Sequence, residues 1–137
     1  MAETNNTQII QEGYAKFGSG DIEGLLNLFS DDIEWTTQTV MGAPFTGKRN
    51  GREAVAEFFS LLDENEEFTN FEPREFIAQG DRVVVLGTST ATIKSTGRTA
   101  ETEWVHVFTV RDGKVTSFQE FFDSAAVERA YQKAEAA

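Results

Sequence analysis

Residues 68–122 read FTNFEPREFIAQGDRVVVLGTSTATIKSTGRTAETEWVHVFTVRDGKVTSFQEFF, and through most of them apolar side chains recur at every second position. A period of two sends alternate side chains to opposite faces of an extended chain, the pattern of β-strands with a buried face. Three polar breaks cut the stretch: Gly80-Asp81, Ser95 to Arg98, and Arg111-Asp112-Gly113. Each is short enough for a tight turn, so the segment divides into four strands, 68–78, 82–93, 99–110 and 114–122, running as an antiparallel meander. Pro73 interrupts the first; lacking an N–H for the ladder, it belongs at a bulge or on a sheet edge.

Toward the N-terminus the period lengthens. Ile10, Tyr14 and Phe17 fall at i, i+4 and i+7, an amphipathic helix that ends near Gly18-Ser19-Gly20. Asp21 is placed to cap a second helix carrying Ile22, Leu25, Leu26 and Phe29 on one stripe. The β-branched and aromatic run Ile33 to Val40 predicts a first strand, with Trp35 and Thr37 on one face and Glu34 and Thr36 on the other. Gly42, Pro44, Gly47 and Gly51 mark an irregular stretch before a third helix with Val55, Phe58, Phe59 and Leu62, which ends in the acidic run Asp63 to Glu67. After the meander, Asp123 caps a short helix with Val127, Ala130, Tyr131 and Ala134 on one side. Helices gathered on one side of a meander define an α+β fold, and a strongly bent sheet beneath them leaves a closed space between the layers.

The chain has 137 residues, a size that predicts a single domain, 1–137, with its own core. With no cysteine, disulfides, thiolate metal sites and cysteine nucleophiles are excluded. No stretch approaches the roughly 20 apolar residues of a membrane span, and no leader pattern opens the sequence, which points to a cytoplasmic protein that is not membrane-bound. A net charge of −11 repels phosphate backbones, so nucleic acid is not an expected partner. The twelve phenylalanines suit either a dense core or an aromatic-lined cavity. Asp31, Asp32, Glu34 and the run 63–67 lack the alternation and glycine of a calcium loop, and read as caps and solvated surface, with no metal site. Lys48, Arg49 and Arg52, at the start of the third helix, read as ordinary surface or as an anion-attracting rim.

The order of these elements, with Gly20-Asp21, Leu28-Phe29-Ser30-Asp31-Asp32-Ile33-Glu34-Trp35, Phe45-Thr46-Gly47, Trp104-Val105-His106-Val107-Phe108, Asp112-Gly113-Lys114-Val115 and Phe121-Phe122-Asp123, resembles the NTF2-like superfamily in its SnoaL-like and ketosteroid-isomerase-like branch. The resemblance implies a cone-shaped (cystatin-like) fold, with N-terminal helices over the concave face of a curved antiparallel sheet enclosing a pocket. It also implies a homodimer through the exposed side of that sheet. The strand Val83 to Thr88 is compatible, since neither of its faces is strongly polar.

Residues two apart on a strand share a face, so Trp104, His106 and Phe108 form one row and Phe118, Glu120 and Phe122 another. The resemblance turns both rows, and Trp35, toward the pocket. His106, the single histidine, matches the position of an oxyanion-hole acid in ketosteroid isomerases, and Glu120 the acid/base residue of SnoaL-like cyclases. Desolvation among aromatics would favour the neutral form of Glu120. Each also has a plain structural reading, as a buried polar group satisfied by a neighbour. Trp35 stands where ketosteroid isomerases carry their base, and counting back from Gly20-Asp21 places Gly13 at their assisting tyrosine, with Tyr14 beside it. A single histidine excludes the two-histidine chemistry of scytalone dehydratase, and no inward arginine is evident for that of limonene epoxide hydrolase. The expectation is a small apolar ligand, of polyketide, terpenoid or steroid type, held by Trp35, Trp104, Phe108, Phe118 and Phe122. It is isomerised or cyclised without a cofactor through Glu120 and His106, or bound without reaction.

Overall fold

A computed structural model describes residues 2–132 of the chain. Two N-terminal helices, α1 (Ala2–Ser19) and α2 (Ile22–Leu26), lead into β1 (Phe29–Thr36), a short β2 (Lys48–Asn50) and α3 (Arg52–Asn65). The meander follows as β3 (Glu66–Gln79), β4 (Arg82–Ile93), β5 (Thr99–Arg111) and β6 (Lys114–Phe122), and α4 (Ser124–Tyr131) closes the order. Ala134, expected on the apolar side of α4, lies outside the described residues. None of the helices is long and apolar enough to cross a membrane.

The six strands form one sheet in the order β2-β1-β6-β5-β4-β3. Every neighbouring pair is antiparallel except β1 and β6, which run parallel. The sheet is therefore not wholly antiparallel, as the sequence had suggested. No hairpin joins β1 to β6, so nothing local forces their directions to oppose. Pro73 lies on the edge strand β3 beside a register shift at Pro73/Glu75, where a missing donor is tolerated. Further shifts at Phe68/Asn70 and Thr109/Val110 add to the bending of the sheet over the helices.

The second helix is shorter and the first strand earlier than the sequence predicts. Phe29 continues the helical stripe of Ile22 and Leu25 but also alternates with the strand, and pairing decides: it registers with Val115 while Val115 N–H donates to Leu28 O at 2.8 Å. Beyond Thr36 the chain loops out and returns, with Thr37 N–H donating to Gly47 O at 3.1 Å and Gly47 N–H to Thr37 Oγ1 at 3.0 Å. This return creates β2, which the glycine-rich stretch had hidden. The basic trio is partly consumed in fixing it. Arg49 donates to Phe45 O, Ala54 O and Glu57, and Arg52 pairs with Asp31, which removes the anion-rim reading.

Alternation puts Val83 and Val85 of β4, both fully buried, on the helix-covered face with Ile33, Val110 and Val115, in one core with Val55 of α3. The opposite face keeps Val84, Leu86, Val105 and Val107 half-buried, with Ile77 and Phe121 exposed. Gly87 marks the closest approach of side chain to sheet. A Cβ there would lie 2.3 Å from Trp104 Cζ2 and 2.7 Å from Glu72 O, so only glycine lets the indole lie flat on β4.

Candidate functional site

Antiparallel register sets the two predicted rows side by side as rungs: Trp104 opposite Phe122, His106 opposite Glu120, and Phe108 opposite Phe118. β1 extends the last rung, Trp35 pairing with Phe118 and stacking on it at a centroid distance of 3.9 Å and 19°. Trp104 stacks on the His106 ring at 3.9 Å and 16°, and Phe118 meets that ring edge-on at 4.8 Å. All seven residues named from the sequence line one cavity of about 140 Å³. Around them stand Ile10, Phe17, Phe58, Phe59 and Phe71, with Ser89, Thr102 and Glu66 among the polar groups.

The imidazole is held on both sides. Its Nε2 lies 2.8 Å from Glu120 Oε2 and its Nδ1 lies 2.6 Å from the Tyr14 hydroxyl. Burial, reinforced by the charge of Glu120, pushes the Tyr14 phenol far above its ordinary pKa, so it keeps its proton. A neutral imidazole satisfies both contacts in one tautomer, Nε2–H donating to the Glu120 carboxylate, which can only accept, and Nδ1 accepting from the Tyr14 O–H. The three side chains make one directed chain of donors with no spare N–H on His106. Glu120, its side chain 22% exposed, keeps its second oxygen free of any protein partner among the described residues.

Tyr14 is the residue the sequence count missed. Gly13 does line the cavity, but it contributes only backbone; the next residue carries the phenol across to a histidine 92 positions away. The helical stripe of Ile10, Tyr14 and Phe17 already pointed Tyr14 inward, though not to a partner.

Glu66 is the second omission. It sat within the acidic run read as surface, yet the first residue of β3 is half-buried on the cavity wall, and the Tyr131 hydroxyl of α4 donates to its Oε2 at 2.6 Å. Burial raises the Glu66 pKa, the Tyr131 hydrogen bond opposes the shift, and the Glu120 charge adds to it. The phenol of Tyr131 is raised in turn by burial and by its contact with Glu66. Two buried indole donors in the wall, Trp35 Nε1 and Trp104 Nε1, have no acceptor among the described residues.

Fold and cavity together place the chain among known proteins. The SnoaL-like domain matches residues 10–118, and the chain belongs to this family, within the NTF2-like group. A crystal structure of an NTF2-like protein from Burkholderia xenovorans LB400 is 41% identical to it, over 95% of this chain and 98% of that one, with a TM-score of 0.86. An NTF2-like protein of unknown function from Burkholderia pseudomallei K96243 is 32% identical over 93% of this chain and 97% of that one, at a TM-score of 0.85. TerC, co-crystallised with polyporic acid, is 37% identical over 93% of this chain and 98% of that one, at a TM-score of 0.83. No curated protein matches the chain.

Proposed function

We propose that the protein is a cofactor-free acid/base enzyme acting on a small apolar carbonyl compound, with Glu120 as the proton carrier. The observation that supports this most is the Tyr14–His106–Glu120 chain inside an aromatic cavity. Its order of donors leaves one carboxylate oxygen free to take a proton from carbon beside a carbonyl and to return it elsewhere, an isomerisation that needs no other reactant. In this reading His106 does not itself polarise the substrate, because both ring nitrogens are already engaged. It positions Glu120, and Tyr14 fixes its tautomer.

The cavity volume limits the substrate. At about 140 Å³ it resembles the engineered apolar cavity of about 150 Å³ that admits benzene, and falls below the roughly 300 Å³ at which drug-sized pockets begin. A one-ring molecule fits the structure as it stands, whereas a polyketide or steroid requires wall side chains to move. The co-crystallisation of TerC with polyporic acid supports a small organic ligand for this fold at 37% identity. The outer sheet face, with Ile77 and Phe121 exposed, is our choice for a homodimer contact.

A second reading, binding without reaction, draws on the same closure of hydrogen bonds, since a chain that satisfies itself needs no substrate. Cyclohex-3-enone separates the two. Conversion to the conjugated cyclohex-2-enone, followed by ultraviolet absorbance, is expected with the native protein and absent with Glu120→Gln. Binding of the ketone by native protein without conversion establishes the second reading instead.

A further inference from the structure

The cavity contains two carboxyl groups, and only Glu120 has been given a task. Glu66 reaches the same space from the start of β3, on an element that carries no part of the Tyr14–His106–Glu120 chain. One of its oxygens is held by Tyr131 at 2.6 Å; the other has no protein partner among the described residues and, unlike the two indole nitrogens, is not fully buried. Tyr131 is itself fixed. It ends α4, and the neighbouring carbonyls of Ala130, Arg129 and Gln132 accept from Thr96 Oγ1 and Arg98 Nη1. Glu66 is thus an oriented carboxyl group with one free oxygen at a second place in a small cavity.

Resting on the reading of the cavity as a ligand site, we propose that Glu66, oriented by Tyr131, is its second polar contact. The ligand is then a ring-sized molecule with oxygen functions at two separated positions, a hydroxyl that donates to the free oxygen of Glu120 and a carbonyl that accepts from Glu66. A carboxyl group that keeps its proton donates to a carbonyl, and burial together with the Glu120 charge pushes Glu66 in that direction. A carbonyl added to the ring loses hydration on entering a largely apolar space, so it weakens binding unless a donor meets it.

Cyclohexanol and 4-hydroxycyclohexanone, titrated calorimetrically into the full-length protein, test this. The hydroxyketone is the more hydrophilic of the two, yet it is expected to bind about ten-fold more tightly, the gain of one well-placed hydrogen bond. Glu66→Ala should abolish that advantage, with a cooperative urea unfolding transition verifying that the variant is folded. Glu66→Gln, which keeps an N–H donor, should retain part of it, and Tyr131→Phe should reduce it. A hydroxyketone that binds no better than cyclohexanol overturns the assignment of Glu66 and leaves the cavity reading standing. A preference that survives Glu66→Ala also overturns it, and transfers the role to another donor such as the Ser89 or Thr102 hydroxyl. If neither compound binds, the cavity reading fails and this inference with it.

Discussion

The buried and half-exposed ends of the cavity are made from different materials. At the buried end Trp35 lies on Phe118, with Phe29, Phe58 and Phe59 around it at ring separations of 5.3–5.7 Å. At the other end stand Glu120, Glu66, Thr102 and Phe122, all partly accessible, with Tyr131 beside them. His106, 4% exposed, lies between and belongs to both, stacked on an indole and bonded to a carboxylate. Hydrophobic burial and dispersion dominate the first region; directed hydrogen bonds with free valences dominate the second. Stability and chemistry are therefore separable by mutation, and four substitutions probe the division.

Trp35→Ala strikes the buried end hardest. Removing a core tryptophan costs about 3 to 5 kcal/mol, measured as a fall in urea unfolding free energy. A loss below about 1 kcal/mol would mean that the aromatic cluster is loosely packed and that the contrast is misdrawn. Gly87→Ala comes next, since its methyl group must displace the Trp104 ring or the Glu72 carbonyl; overpacking of this kind costs about 1 to 3 kcal/mol. Tryptophan fluorescence should shift with it, because Trp104 moves.

Tyr14→Phe removes one donor and keeps the ring, so the expected loss is about 1 kcal/mol. Nitrogen-15 chemical shifts of His106 should then show Nδ1 losing its hydrogen bond while Nε2 stays protonated. Unchanged shifts would contradict the donor order derived above.

Glu66→Gln gives the smallest effect, and it appears in the pH profile. Folded Glu66 binds its proton more tightly than the unfolded carboxyl, whose pKa is 4.5, chiefly through burial and secondarily through Glu120. Above 4.5 the folded state therefore holds the extra proton, and stability falls as pH rises until folded Glu66 ionises. Glutamine removes that decline, so the variant's denaturation midpoint should vary less with pH over this interval than the native protein's. An identical slope would place Glu66 in an ordinary aqueous setting.

The meander was legible because its strands alternate strictly and their turns are short, so local sequence alone defines Arg82–Ile93 and Lys114–Phe122. The rows containing His106 and Glu120 followed from the same alternation. What sequence could not supply was pairing between distant segments. Phe29 satisfies a helical and an extended period equally, and only contact with β6 chooses between them. Lys48–Asn50 has no apolar pattern and becomes a strand because β1 is next to it. Tyr14 could be turned inward by periodicity, but its bond to His106 depends on how α1 crosses the sheet. Glu66 was concealed by its acidic neighbours: two residues of the run, Asp63 and Glu64, end α3 in solvent, whereas Glu66 begins a strand facing the wall.

The parallel seam between β1 and β6 also dictates the order in which the protein can be completed. During synthesis β1 emerges early and finds only the three-residue β2 to pair with, while Phe118, its stacking partner for Trp35, is made near the end. Until then one edge of β1 is unpaired and the aromatic cluster of Trp35, Phe58 and Phe59 lacks its cover. A nascent chain in that condition exposes an unpaired strand edge and apolar rings, and its folding waits on a contact of high sequence separation.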